Sequence, residues 1–318
     1  MNEVARVDQS AVMTAAAADF GSLVHRFLSS QDIRDASKRT YARALKQFGL
    51  WINADDRGRF TRETILQFKK DMIGRGLSAF TVSCYLTAVK RFFAWAEGAG
   101  VYPNIAKDIK LMKRDDEEFQ KDAFTPDQAL ELLKSIKTRT VKGKRDFAIV
   151  NLMIRTGLRT VEVVRANVGD MVNQGDATVL FIHGKGKDGK GAKVVLKQET
   201  LAPINAYLKT RGSIAQDAPL FAAISNRNHG GRMTTKSISR LTKSAIDKIA
   251  PGRDRLTAHS CRHTAITLVL LGGGTVQHAQ VQGRHASINT TLRYLHNLDR
   301  LRDAPENYID AALKRVTG

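Results

Sequence analysis

Cysteine is nearly absent from this chain: Cys84 and Cys261 are the only two in 318 residues. Two isolated thiols supply neither a disulfide framework nor a four-ligand zinc site, and a reducing compartment suits them. Long apolar runs are missing as well. No stretch approaches the roughly 18 uninterrupted apolar residues that a membrane span requires, which excludes a transmembrane reading. The N-terminus carries Glu3, Arg6 and Asp8 ahead of a small-residue run at 15–18. It therefore lacks the basic segment and long apolar segment of an export signal, and a cytoplasmic protein is expected. No internal repeat of roughly 20 to 50 residues is present.

What the chain has in excess is positive charge. Lys and Arg number 51 against 31 Asp and Glu, a formal net charge of +20, in a sequence whose hydrophobic content of 42% is ordinary for a globular protein. A polyanionic partner is expected. Nucleic acid leads, because cationic side chains on phosphates release condensed counterions. An anionic membrane surface is the other polyanion, but no single basic amphipathic helix gathers the charge for it.

The length allows about two domains. Residues 1–18, Ala-rich and weakly patterned, read as a mobile leader. From 19 to 106 the sequence predicts a helical bundle: Phe20, Leu23, Val24, Phe27 and Leu28 fall at helical spacing, as do Tyr41, Leu45, Phe48 and Ile52 after possible caps at Asp35 or Ser37. Ile65, Phe68 and Met72 suggest a third helix, and Val82, Tyr85, Leu86, Val89 and Phe93 a fourth, with Lys90 and Arg91 beside the stripe as DNA-binding candidates. Such aromatic stripes read as core. Residues 107–122, with mixed charge and the acidic run 115–118, read as a linker. The second domain, 123–318, opens with Thr125, Pro126 and Gln128, a capping arrangement. Helices are expected at 145–154, 158–164, 201–208, 237–249, 260–271 and from 287 onward with a break near Pro305. Short β-branched runs at 178–182 and 193–196, around a Gly-rich segment, predict a hairpin or small sheet. The expected fold class is mainly α, a helical domain plus a mostly helical domain with a small antiparallel sheet.

Two motifs suggest chemistry that their context rejects. The run Gly184 to Gly189 matches a dinucleotide-binding fingerprint and nearly a phosphate-binding loop, but a strand follows where a helix is needed. It leaves Lys185, Lys187, Lys190 and Lys193 on a turn. His259 and His263 have the spacing of a zinc-binding helix face, yet Arg262 lies on that face and the general-base Glu of such motifs is absent. An anion suits those donors better, and neither a metal nor a cofactor is expected.

The second half also contains, in order, Thr156-Gly157-Leu158-Arg159-Thr160-Val161-Glu162, Gly184-Lys185-Gly186, His259-Ser260-Cys261-Arg262-His263, Gly283-Arg284-His285 and, nine residues after His285, Tyr294. That order resembles the tyrosine recombinase (phage integrase) family over about residues 123 to 300, and the preceding helices resemble the family's core-binding domain. The resemblance implies that Arg159 and Arg262 grip the phosphate being cut, as planar and permanently charged forks can. It implies that Lys185, in preference to Lys187, protonates the departing 5′ oxygen, and that His259 acts as a general acid/base. His285 would hydrogen-bond the phosphate, and Tyr294 would be the nucleophile that forms a 3′-phosphotyrosyl link. Glu162 would orient its neighbours or be an ordinary helix-surface residue, while His263 packs inward as a structural group. Where the family more often has Leu-Gly-His, this chain has Gly283-Arg284-His285, so the glycine is displaced by one.

A site-specific recombinase of the Xer or integrase type is therefore expected, closing its two domains around duplex DNA. Its partners would be double-stranded DNA with inverted half-sites and a synaptic homo-tetramer, with a second recombinase as a possible hetero-partner, at the nucleoid. Lys187 and Lys190 join the DNA-binding candidates. The tail helix, Glu306 to Val316, docks on a neighbouring protomer or caps its own domain, and the leader is too short for a separate arm-binding domain. The alternatives are a type IB topoisomerase, which shares this chemistry, and a non-catalytic DNA-binding protein.

Overall fold

The computed structural model describes residues 20–53, 60–112, 122–183 and 191–294, together with residues 309 and 313, with Asn53 and Arg227 described by their backbone alone. The leader 1–18, linker residues 113–121, and Lys185, Lys187 and Lys190 lie outside the described residues. So does the tail apart from Ile309 and Leu313, which are helical and exposed. The chain divides into two compact units, Met1–Asp116 and Glu117–Gly318.

In the first unit, α1 (Phe20–Ser30), α2 (Asp35–Asn53), α3 (Arg62–Gly74) and α4 (Ala79–Gly98) follow the apolar stripes of the sequence. The stripes are core: Phe27, Phe48, Phe68, Leu86 and Phe93 are fully buried. The phenylalanine rings, together with those of Phe20 and Phe92, interlock edge to face at centroid separations of 5.0 to 6.2 Å, the arrangement that aromatic quadrupoles favour. Residues 107–112, assigned to the linker in the sequence, fold back on this bundle. Ile109 is buried, the Met112 amide donates to the Ser83 hydroxyl at 3.1 Å, and Lys69 donates to the Lys110 carbonyl at 2.8 Å. Non-helical chain held by separate contacts has no periodicity to read.

In the second unit, α5 (Pro126–Lys134) begins with the expected capping box. The Gln128 amide donates to the Thr125 hydroxyl at 3.2 Å, and the Thr125 amide to the Gln128 side chain at 3.1 Å. Helix α6 (Val141–Thr156) is the central element, buried on every side from Ala148 to Ile154, and α7 (Thr160–Arg165) follows after a tight turn. Three antiparallel strands, β1 (Met171–Gln174), β2 (Ala177–Ile182) and β3 (Ala192–Leu196), pair in the order β1-β2-β3, with Met171 opposite Leu180 and Val179 opposite Val195. The sequence pointed to β2 and β3 only, since β1 carries no β-branched run. Helices α8 (Gln198–Leu208), α9 (Thr235–Ile249) and α10 (Ala258–Leu271) complete the core. Helix α11 (Val276–Gly283) was not anticipated: it buries only Ala279 and Gly283, which makes no stripe, and its local signal is the Thr275–His278 cap. The fold is mainly helical with a small antiparallel sheet. Among the described residues no helix is long and apolar enough to cross a membrane.

Candidate active site

Four chain segments of the second unit converge on one cluster of polar side chains. The first is the turn after α6. Gly157 ends that helix in the left-handed conformation, φ +64°, where an L side chain is strained and a Cβ would also meet the Gln282 carbonyl at 3.3 Å. The turn sets Arg159 at the start of α7, with its guanidinium partly exposed. Glu162, one turn later and 4% exposed, accepts the Arg159 backbone N–H at 2.8 Å and its Nη1 at 2.9 Å. The sequence left open whether Glu162 sits on the helix surface, and the structure buries it as the anchor of Arg159.

The second segment is the first half of α10, which buries polar as well as apolar residues. Arg262, 2% exposed, donates Nη1 to the Gly157 carbonyl at 2.6 Å and Nη2 to the Gly283 carbonyl. Burial, with Arg159 and Arg284 nearby, lowers its pKa to about 10, so it stays cationic at neutral pH. His259 and His263, on one face of the helix, meet edge to face with centroids 4.6 Å apart. Both are pushed below the usual imidazole range, His259 by burial and then Arg262 and Arg159, and His263, to about 3, by burial and then His259 and Arg262.

The third segment is the end of α11. Gly283 packs against the His285 ring, where a Cβ would come within 2.7 Å of Cε1. Arg284 then takes the left-handed conformation, φ +49°, and its Nη2 donates to Glu162 Oε2 at 2.8 Å and to the Gly157 carbonyl at 3.0 Å. His285, lowered to about 4 by burial and then by Arg262, Arg159 and Arg284, is held through Nδ1 by the buried Thr291 hydroxyl at 2.9 Å.

The fourth segment is the helical run 288–294, which ends its described part at Tyr294. The phenol is 5% exposed and hydrogen-bonded to His263 Nδ1 at 2.5 Å. The His285 ring stacks over it, with centroids 6.0 Å apart. Burial raises the phenol to about 12 against the opposing pull of Arg262, Arg293 and Arg159, so it is protonated at neutral pH. Among the described residues no group of three or more His, Cys, Asp or Glu side chains could hold a metal ion.

Of the residues singled out in the sequence, Arg159, Glu162, His259, Arg262, His285 and Tyr294 meet here. His263 packs inward as expected, but its ring also carries the phenol's hydrogen bond. The sequence assigns no role to Arg284 or Thr291, and the glycine displaced by one in Gly283-Arg284-His285 is the available signal for Arg284. Lys90 and Arg91 belong to the first unit: the Lys90 ammonium donates to the Ile109 carbonyl at 2.7 Å, and the exposed Arg91 lies over the Tyr41 ring at 5.8 Å.

The family model described as "Phage integrase family" matches residues 122–300, more than half of the chain and all four segments. The chain belongs to the phage integrase family. A tyrosine recombinase of Synechococcus elongatus is 32% identical over 72% of this chain and 71% of its own length. Tyrosine recombinase XerC of Pelobacter propionicus is 30% identical over 82% of this chain and 85% of its own. Among solved structures, the XerH site-specific recombinase bound to a palindromic difH substrate, a post-cleavage complex, superposes with a TM-score of 0.69 over 86% of this chain and 78% of that one. At 19% identity that likeness shows the fold of this phage integrase family member.

Proposed function

We propose that the cluster around Tyr294 cuts and rejoins DNA as the active site of a tyrosine site-specific recombinase, acting through a 3′-phosphotyrosyl intermediate. The observation that carries this reading is one hydrogen-bonded network of guanidiniums beside a buried phenol, ringed by three imidazoles. It supplies both charge for a phosphate and a nucleophile for phosphorus. The names of the relatives favour recombination over relaxation of supercoils or binding without cleavage.

In this scheme Arg159 and Arg262 hold the non-bridging oxygens and stabilise the charge that builds in the pentacoordinate transition state. The Tyr294 oxygen bonds to phosphorus as the bond to the 5′ oxygen breaks. The phenol proton passes to His259, whose imidazole burial keeps neutral at pH 7. His259 serves as general acid/base and His285 as a phosphate ligand, and Lys185 returns a proton to the departing 5′ oxygen. Glu162 keeps Arg159 aimed. Because the phosphotyrosyl bond keeps the energy of the phosphodiester, a 5′-hydroxyl from another strand reverses the step without ATP. The partners in this scheme are duplex DNA with inverted half-sites and a tetramer of the chain, or of the chain with a second recombinase, in the cytoplasm at the nucleoid. Lys90, Arg91, Lys187 and Lys190 would contribute phosphate contacts.

The test is a nicked duplex that traps the covalent intermediate, carrying a sequence selected from a randomised library on the chain itself. The chain forms a covalent adduct, and Tyr294→Phe binds the same duplex but forms none. Adduct formation by Tyr294→Phe would overturn the assignment of the nucleophile.

A further inference from the structure

Arg284 stands where the backbone calls for glycine. Its φ of +49° is the left-handed conformation that stops a helix, and bulky side chains occupy it only under strain. Only one other non-glycine residue among those described has a positive φ. The strain comes with a side chain that is almost wholly used: its guanidinium donates to the carbonyls of Thr156 (3.3 Å), Gln282 (3.4 Å) and Gly157 (3.0 Å), and to Glu162 Oε2 (2.8 Å). Its Nε is buried with no hydrogen-bond partner. A long cation in a strained backbone position, with one donor unsatisfied, needs a compensating role.

The charge arithmetic supplies one. Glu162 is a single buried carboxylate shared by two guanidiniums: Oε1 faces Arg159 Nη1, and Oε2 faces Arg284 Nη2. Arg262 is a third guanidinium tied to the same Gly157 carbonyl as Arg284. With Arg159 alone, Glu162 would neutralise the cation it positions. With Arg284 taking half of the carboxylate, Arg159 keeps its orientation and most of its charge. From this we infer that Arg284 is a positioning residue for phosphate cleavage: it acts through Glu162 to hold Arg159 aimed and uncompensated, and it fixes the Gly157 carbonyl that seats Arg262. The inference rests on the recombinase reading and extends it to a residue outside the set that the resemblance implied.

The test uses the full chain and the selected nicked duplex. Arg284→Gly suits the turn, so it should fold with an unchanged or higher melting temperature and bind the duplex within about threefold of the parent. Its single-turnover rate of adduct formation should fall about 10- to 100-fold. Two further readouts separate positioning from mere structure. On a duplex whose scissile phosphate is replaced by an uncharged methylphosphonate, the deficit should shrink, because the missing cation then has less charge to meet. In an E162Q background, Arg284→Gly should cost less than in the parent, since both changes act through one carboxylate. A parent-like rate for Arg284→Gly, or a cost that simply adds to that of E162Q, overturns the inference while leaving the recombinase reading intact. Failure of the unaltered chain to capture any duplex overturns that reading, and this inference falls with it.

Discussion

His263 accepts no proton at ordinary pH, and that bears on stability as well as on chemistry. A free imidazole titrates near 6.5; in the folded chain burial holds His263 at about 3 and His285 at about 4. Between those values and 6.5 the unfolded chain binds more protons than the folded one, so stability is complete above about pH 6.5 and declines as the pH falls. Each pH unit below that point costs up to about 1.4 kcal/mol for a fully buried histidine. The melting temperature should therefore drop between pH 7 and pH 4.5. His263→Gln keeps a hydrogen-bonding tip for Tyr294 but cannot take the charge, so its drop should be shallower; an equally steep profile would remove His263 as the cause. At this scale much was legible in the sequence. Arg159, Arg262, His285 and Tyr294 stood out through the family resemblance of their motifs, and the fold brings them together. The contact of His263 with the phenol could not, because it depends on how the run 288–294 lies across α10.

Among the elements, the turn after α6 shows how much of the site hangs on one backbone conformation. Gly157 must be left-handed, its carbonyl serves Arg262 and Arg284 together, and Arg159 follows two residues later. Gly157→Ala should destabilise the chain by about 1–2 kcal/mol through the left-handed backbone alone. Adduct formation should fall further than that loss explains, because the displaced carbonyl unseats two guanidiniums at once. A thermal melt alongside a single-turnover rate tests this, and a slow rate wholly accounted for by unfolded protein would refute the second half. The cap of α5 was readable because Thr125 and Gln128 satisfy each other locally. Helix α11 and strand β1 were not, because their identity is set by neighbours: α11 by the residues packed on Ala279 and Gly283, β1 by its pairing with β2.

For the whole molecule, the net charge of +20 makes a quantitative demand. Affinity for duplex DNA should fall steeply as salt rises, the logarithm of the binding constant dropping linearly with the logarithm of salt concentration. A flat dependence would separate the charge from DNA binding. Adduct formation should be indifferent to EDTA, since guanidiniums perform the charge stabilisation that a divalent ion otherwise supplies; a chelator-sensitive rate would contradict the scheme. The packed aromatic core of the first unit has a practical consequence as well. Both tryptophans of the chain, Trp51 and Trp95, sit in that cluster, against Phe68 and Phe92 respectively. Intrinsic indole emission consequently reports on α1 to α4 alone, leaving the recombinase chemistry spectrally dark. Denaturation followed by fluorescence and by circular dichroism will superimpose only if the two units melt together.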